Sequence, residues 1–306
     1  MTSPHPDAAA QAASAETTPA KISAMTRIAN LLAIIVPFLS LIAAIIFCWG
    51  WGIGWVELSL LLGMYFLTVL GITVGFHRLF THKSFEAHPA VQCVLAILGS
   101  MAIQGPLAKW VALHRRHHHY SDTHEDPHSP HHGGSGVVGM LKGAWHAHIG
   151  WLFTPDPEDL PRYIKDIQRS RLLSTISALF PLWVLLGLLI PAALGGALTQ
   201  SWSGAMLGLV WGGGVRIFLV HHVTWSINSV CHIWGQRRFP SRDHSRNNFL
   251  FGILGLGEGW HNNHHAYPYS ARHGLRWWEL DLSYAVIRLL SLLGLAKNVK
   301  LAAQPR

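Results

Sequence analysis

Residues 30–48, NLLAIIVPFLSLIAAIIFC, carry no charged side chain. At 1.5 Å of rise per residue a helix of this length crosses a hydrocarbon layer of about 30 Å. Three further stretches have the same character: 55–74, with Glu57 near its start; 172–194; and 202–222, whose LGLVWGGGVRIFLV core holds one charge, Arg216. The pattern predicts an all-α integral membrane protein with four transmembrane helices in two hairpins. The first run is too long for the apolar region of a secretory signal, and it follows an Ala-, Ser-, Thr- and Pro-rich leader with the composition of a disordered tail. Residues 1–27 are therefore read as a tail and 28–306 as a single domain, with a cap built from 75–171 and 223–306.

Lys and Arg concentrate on the cytoplasmic side of membrane proteins. All 23 of them lie in three segments: Lys21 and Arg27, ten from Arg78 to Arg171, and eleven from Arg216 to Arg306. The connections 50–54 and 195–201 have none. Both termini and the histidine-rich cap are thus expected in the cytoplasm. A net charge of +8 suits a basic cap over anionic headgroups or a phosphate-bearing substrate. Nucleic-acid binding is not expected, since the basic residues form no arm or repeated stripe. Residues 89–110 are apolar, but Gly99, Gly105, Pro106 and Lys109 interrupt them. A fifth span there would put His77 and His82 opposite His114, so an interfacial or cap-embedded helix is expected.

The chain has 22 His against 15 Asp plus Glu, so a multi-metal site must lean on nitrogen ligands. Imidazole suits Fe, Zn, Cu and Ni rather than Ca or Mg. Residues three and four apart share a helix face, so His114, His117 and His118 can aim at one point. His261, His264 and His265 repeat the spacing. His77 and His82 are five apart, which suggests the last turn of an emerging helix with His82 just past its end. These eight imidazoles exceed what one metal can use, and two metals are implied. His232 is a further candidate at the end of a long helical pattern, with Asn228 one turn earlier on the same face, placed to act through water. His5, His88, His146, His148, His244 and His273 read as solvated or hydrogen-bonded singletons. His119, His124, His128, His131 and His132 form a polar loop that is better placed behind ligands or in solvent than as ligands. Carboxylate-bridged di-iron folds use Glu-x-x-His, found at Glu125 and Glu258, but too few Glu remain for the other helices. Glu258 is left a place behind the ligands. Cys48, Cys93 and Cys231 have no C-x-x-C pair and read as small apolar residues.

From about Met64 to Leu295 the chain resembles the membrane-bound acyl-CoA desaturases of the stearoyl-CoA delta-9 type. The resemblance lies in Gly75-Phe-His77-Arg-Leu-Phe-Thr-His82, His114-Arg-Arg-His117-His118, Thr224-Trp-Ser-Ile-Asn228-Ser-Val-Cys-His232 and Gly257-Glu-Gly-Trp-His261-Asn-Asn-His264-His265. It implies a four-span fold with a cytoplasmic cap. It also implies two iron ions held by His77, His82, His114, His117, His118, His232, His261, His264 and His265, with Asn228 acting through water. Which ligand serves which iron stays open, and zinc could occupy the same imidazoles in overexpressed protein. Gln104, Trp110, Thr224 and Trp225 would line a bent acyl tunnel.

The implied reaction removes two hydrogens from adjacent methylenes, with O2 as co-substrate, to leave a cis double bond. The expected substrate is an acyl-CoA of C16 or C18, opened at delta-9. Lys109, Arg115, Arg116, Arg237, Arg238 and Arg242 could hold its head group. No cytochrome b5-like or ferredoxin-like segment is visible, so a separate ferredoxin, cytochrome or flavin reductase is expected to supply electrons. The alternatives are a hydroxylase using the same irons, and a membrane metal-binding or transport protein. The latter would favour ligands at bilayer depth rather than at span ends.

Overall fold

Lipid offers no partner to an unpaired N–H or C=O, so runs this apolar must close their hydrogen bonds within helices. The computed structural model describes residues 22–47 and 52–303. The expected tail up to residue 21, with His5, lies outside them, as do Cys48 and part of the 50–54 connection. In chain order the helices are α1 (Ala24–Phe47), α2 (Trp55–Thr81), α3 (Pro89–Ser100), α4 (Leu107–Tyr120), α5 (Gly136–His148), α6 (Lys165–Arg169), α7 (Arg171–Ala178), α8 (Phe180–Thr199), α9 (Trp202–His232), α10 (Phe249–Leu254), α11 (His261–Ala266) and α12 (Leu282–Leu292). A minimal antiparallel pair, β1 (Glu86–Ala87) and β2 (Ala296–Lys297), ties the chain's end to the segment after α2.

Among the described residues, α1, α2, α8 and α9 are long and apolar enough to cross a membrane. Their bounds differ from the expected ones in two places. α1 begins at Ala24, so the segment predicted as tail already turns helical there. α2 and α9 run past the apolar stretch to Thr81 and His232, as expected of a helix that ends just before His82 and of a helical pattern that reaches His232. The expected third span at 172–194 divides at Leu179. Pro181 sits in the first turn of α8, where its missing N–H costs nothing, and α7 stays a separate cap helix.

The hairpin of α8 and α9 packs through small residues, as helices do where lipid gives no apolar driving force. A Cβ at Gly208 would lie 2.2 Å from the Pro191 carbonyl. α3 does not span; it lies against the end of α2, where a Cβ at Gly71 would meet the Gly99 nitrogen at 2.1 Å. The core between them contains Val69, Phe76, Phe80, Leu95, Leu107, Val111, Val220 and Ile287. Near the start of α1, Asn30 donates to the Leu152 carbonyl in the cap. The cap therefore meets the N-terminal end of α1 and the C-terminal ends of α2 and α9, and both hairpin turns lie at the other end.

Arg216 is fully buried in α9 and bridges three segments through carbonyls alone: Met101 at 2.7 Å, Gly187 at 2.8 Å and Gly212 at 3.1 Å. Replacing it with methionine keeps most of its length and leaves the Met101 and Gly187 oxygens without donors. The loss is expected to be on the order of 3 kcal/mol, read as a lower thermal midpoint with every histidine intact. An unchanged midpoint would show that Arg216 does not hold α8 and α9 to the cap.

Candidate metal centre

The histidines are delivered by four elements. The last turns of α2 are π-helical from Gly71 to Thr81, and the His82 N–H reaches back five residues to the His77 carbonyl at 3.1 Å. That wider turn puts residues five apart on one face, a spacing that an ordinary helix would splay. The His77 and His82 rings lie 4.8 Å apart in consequence. α4 supplies His114, His117 and His118, α9 supplies His232, and α11 supplies His261, His264 and His265.

These nine side chains gather into two groups. His77, His82, His114, His118 and His264 form one; His117, His232, His261 and His265 form the other. Each triplet is split, with one or two of its members serving each group. Asn228 is half-buried one turn before His232.

The residues fit a metal on two observations. First, ring nitrogens converge in pairs: His77 and His264 Nε2 at 3.0 Å, His264 and His118 Nε2 at 2.9 Å, His118 and His114 Nε2 at 3.1 Å, and His232 and His261 Nε2 at 3.0 Å. With a metal–nitrogen distance of about 2.1 Å, ligands at right angles stand about 3.0 Å apart and tetrahedral ones about 3.4 Å. These pairs are therefore close enough to share an ion. Second, the buried Nε2 atoms of His82, His117 and His265 have no partner within the protein, a costly state for a lone pair unless a cation takes it.

A layer of carboxylates stands behind the ligands. Glu258 Oε2 lies 2.5 Å from His77 Nδ1, Asp122 Oδ2 2.8 Å from His232 Nδ1, and Asp243 Oδ2 2.6 Å from His265 Nδ1. Both oxygens of Asp126 lie 3.0 Å from His117 Nδ1. An ionised carboxylate only accepts, so the proton sits on Nδ1 and Nε2 is free to bind. Burial alone raises these four carboxyls, but their histidines, and for Glu258 also Arg78, hold all of them below the usual carboxylate range. Burial, then the neighbouring imidazoles, keeps His114, His118, His261 and His264 well below the ordinary histidine range. They remain neutral near pH 7, as ligation requires.

The clustered side chains are thus imidazoles, while the layer behind them is acidic. The roles of Asp122, Asp126 and Asp243 were not legible in the sequence. Two of these residues stand in the loop after α4, and the His-Tyr-Ser-Asp-Thr-His-Glu-Asp run was the available signal. His273 was also missed. It is hydrogen-bonded, as one of the two readings had it, with Nδ1 3.2 Å from Arg78 Nη2 and 3.5 Å from Glu258, but it is only 1% exposed and its ring stands 4.5 Å from that of His264. In the polar loop, His128 is buried and stacked 4.9 Å from His117, while His119, His124, His131 and His132 are exposed. His88 and His244 are exposed as expected, and His146 and His148 are half-buried in hydrogen bonds. Cys93 and Cys231 are free thiols, Cys231 buried.

Of the four acyl-site candidates, three form a chain: Trp110 Nε1 donates to Gln104 Oε1 at 3.2 Å, and Gln104 Nε2 donates to Thr224 Oγ1 at 2.8 Å. Trp110 stacks 5.0 Å from His114, beside the first group. Trp225 turns elsewhere, its ring against His148, His221 and His222. The cations considered for a head group are divided too. Lys109, Arg115 and Arg116 pair with Asp156, Asp166 and Asp159, so they chiefly brace the cap.

Comparison with known proteins agrees with this architecture. The family model described as "Fatty acid desaturase" matches residues 50–292. The chain is 46% identical over 269 residues to a hex-5-enoyl-[acyl-carrier protein] acetylenase of Moorena producens, covering 87% of this chain and 84% of that one. It is 43% identical to an sn-1 stearoyl-lipid 9-desaturase of Anabaena variabilis (81% and 85% covered). It is 38% identical to an icosanoyl-CoA 5-desaturase of Limnanthes douglasii (84% and 68% covered).

Proposed function

Since this chain belongs to the fatty acid desaturase family, we propose that it introduces a cis double bond into a saturated fatty acyl chain at a di-iron centre. The observation that carries this is the division of nine histidines into two buried groups beside Trp110. His77, His82, His114, His118 and His264 would hold one iron; His117, His232, His261 and His265, with Asn228 through water, would hold the other. Iron supplies the oxidising power to break an unactivated C–H bond when O2 and electrons are provided.

In the overall change two C–H bonds break and a second C–C bond forms between the same carbons. O2 takes those two hydrogens with their two electrons, plus two electrons and two protons from outside, and leaves as two waters. The protein's own part is positional. An acyl chain has no polar handle at its middle, so its reacting carbons must be placed by the walls that hold it. Trp110, fixed by Gln104 and Thr224, is read as one such wall. Buried Glu258, Asp122, Asp126 and Asp243 hold the imidazole protons at Nδ1 and keep the rings oriented.

The delta-9 position in a C16 or C18 chain is the specific form proposed, in keeping with the stearoyl-lipid 9-desaturase relative. The three relatives are named for acyl-carrier protein, lipid and coenzyme A carriers, and pairing of Lys109, Arg115 and Arg116 with acids weakens the coenzyme A form. The active face and both termini are read as cytoplasmic from the Lys and Arg distribution. The test is a lipid profile of a desaturase-deficient host, resolved by lipid class, with the chain or its His261→Ala/His264→Ala variant expressed. New monounsaturated C16 or C18 chains with the unaltered chain only are expected, and the class first labelled identifies the carrier. Hydroxylated chains would replace this reading with a hydroxylase, and triple bonds with an acetylenase; no new product despite bound iron and a competent donor would remove it.

A further inference from the structure

We infer that the arginine-rich face formed by Arg237, Arg238 and Arg276 is where an acidic, one-electron carrier protein docks to reduce the metal centre. The inference rests on the desaturase reading above, which requires two electrons per turnover from outside.

Three observations converge on this face. The first is charge. From Ile233 to Glu279 the chain has six arginines and three acids, Asp243, Glu258 and Glu279. Each acid is buried, at 6–7% exposure, and occupied: Asp243 by His265, Glu258 by His77 and Arg78, Glu279 by Asn263, the Leu275 and Arg276 amides and, at 3.8 Å, the half-buried Arg238. Arg237, Arg242 and Arg276 are exposed, so the surface field is positive while its balancing charges point inward. The second is shape and lining. Arg237, Arg238 and Arg276 rim an open cavity of about 410 Å3 with Gln236, Asn247 and Glu279 at its wall. Exposed Trp277 and Trp278 stand beside it, the latter under the Arg276 guanidinium at 4.7 Å. Arginine beside exposed aromatic surface is the composition of a protein-binding site.

The third is connection. Asn262 Oδ1 accepts the Arg238 and Phe239 N–H groups, both at 2.7 Å, which staples the arginine loop to α11. Asn247, in the cavity wall, donates to Asn263 Oδ1 at 2.8 Å, and Asn263 is covalently next to His264. From the cavity to a proposed iron ligand there is thus one hydrogen bond and one peptide link. The Trp110–Gln104–Thr224 chain shares no hydrogen bond with this cavity among the described residues, which separates the face from the proposed acyl site. Opposed charge on the carrier would steer encounter and set orientation.

The experiment uses the full chain in nanodiscs and an acidic [2Fe–2S] ferredoxin as probe, with affinity measured at low and at physiological salt. Arg276→Glu is expected to weaken ferredoxin binding about 10-fold or more at low salt and to flatten its salt dependence. Metal content and retention of acyl substrate should not change. Lys142→Glu, an exposed reversal on α5, controls for total charge and should leave affinity within about 2-fold. If this variant misfolds, Arg276→Gln is the substitute and should still weaken binding. Unchanged ferredoxin affinity, an equal loss with Lys142→Glu, or a loss of acyl-substrate retention instead would each overturn the proposal. Binding is read without product, so loss of ferredoxin from a chain that makes only hydroxylated lipid would refute the desaturase reading and leave the docking face standing.

Discussion

Replacing His264 by alanine is expected to empty one metal site and stop double-bond formation, while the other site keeps its ion. His264 Nε2 faces both His77 and His118 at 3.0 and 2.9 Å, so it closes the first group, and its side chain is fully buried. Its removal leaves a gap that no nearby solvent-exposed group can fill. Roughly half of the bound metal should be lost, because ligation and site formation are coupled. Activity should fall by more than about 100-fold, since even a residue behind a ligand is commonly worth 10- to 100-fold. His261→Ala is the mirror case for the second group. Metal analysis of the purified variants decides the matter: if either substitution removes all of the metal or none, the two-group assignment is wrong.

The second large effect is expected from Glu258→Gln, which changes neither size nor any proposed ligand. Glu258 receives His77 Nδ1 and also accepts from Arg78, Nε at 3.2 Å and Nη2 at 3.0 Å. Arg78 is fully buried and holds Asp281 at 2.8 Å and the Ala271 carbonyl at 2.8 Å. The carboxylate therefore neutralises a buried guanidinium, fixes the His77 tautomer and joins α2 to the chain just before α11. Glutamine keeps one acceptor but can offer His77 an N–H where an acceptor is needed. Metal affinity of the first group should drop by about 10- to 100-fold. Stability should fall by about 3 kcal/mol or more, because breaking one side of a buried ion pair strands its partner. Metal titration and thermal unfolding measure the two effects separately. A full-affinity Glu258→Gln protein would show that His77 is not oriented through this contact, and Asp281→Asn, which touches Arg78 but no ligand, serves as the comparison.

The arrangement of the membrane-crossing helices was legible because hydropathy is a local property: an apolar run of nineteen or more residues is visible wherever it occurs, and lipid enforces the helix. Its ends were less so. Pro181 divided the expected third span and α1 began before its apolar run, whereas the histidine spacing already marked the ends of α2 and α9. The histidine triplets were legible for the same reason, since three- and four-residue spacing is a property of one helix. His77 and His82 fitted that rule poorly because their turn is π-helical, a register that packing of α3 and the cap against α2 maintains.

What the sequence by itself determined is the class of chemistry: a membrane chain with more imidazoles than one metal can use. The tertiary structure decided how they are shared. Each triplet is divided between the groups, His77 meets Glu258 across 181 residues, His232 meets Asp122 across 110, and His273 enters the buried site although nothing in its own segment marks it. Helical spacing places side chains only relative to their own axis. Partners on different helices are chosen by how those helices pack, and that choice depends on the whole chain at once.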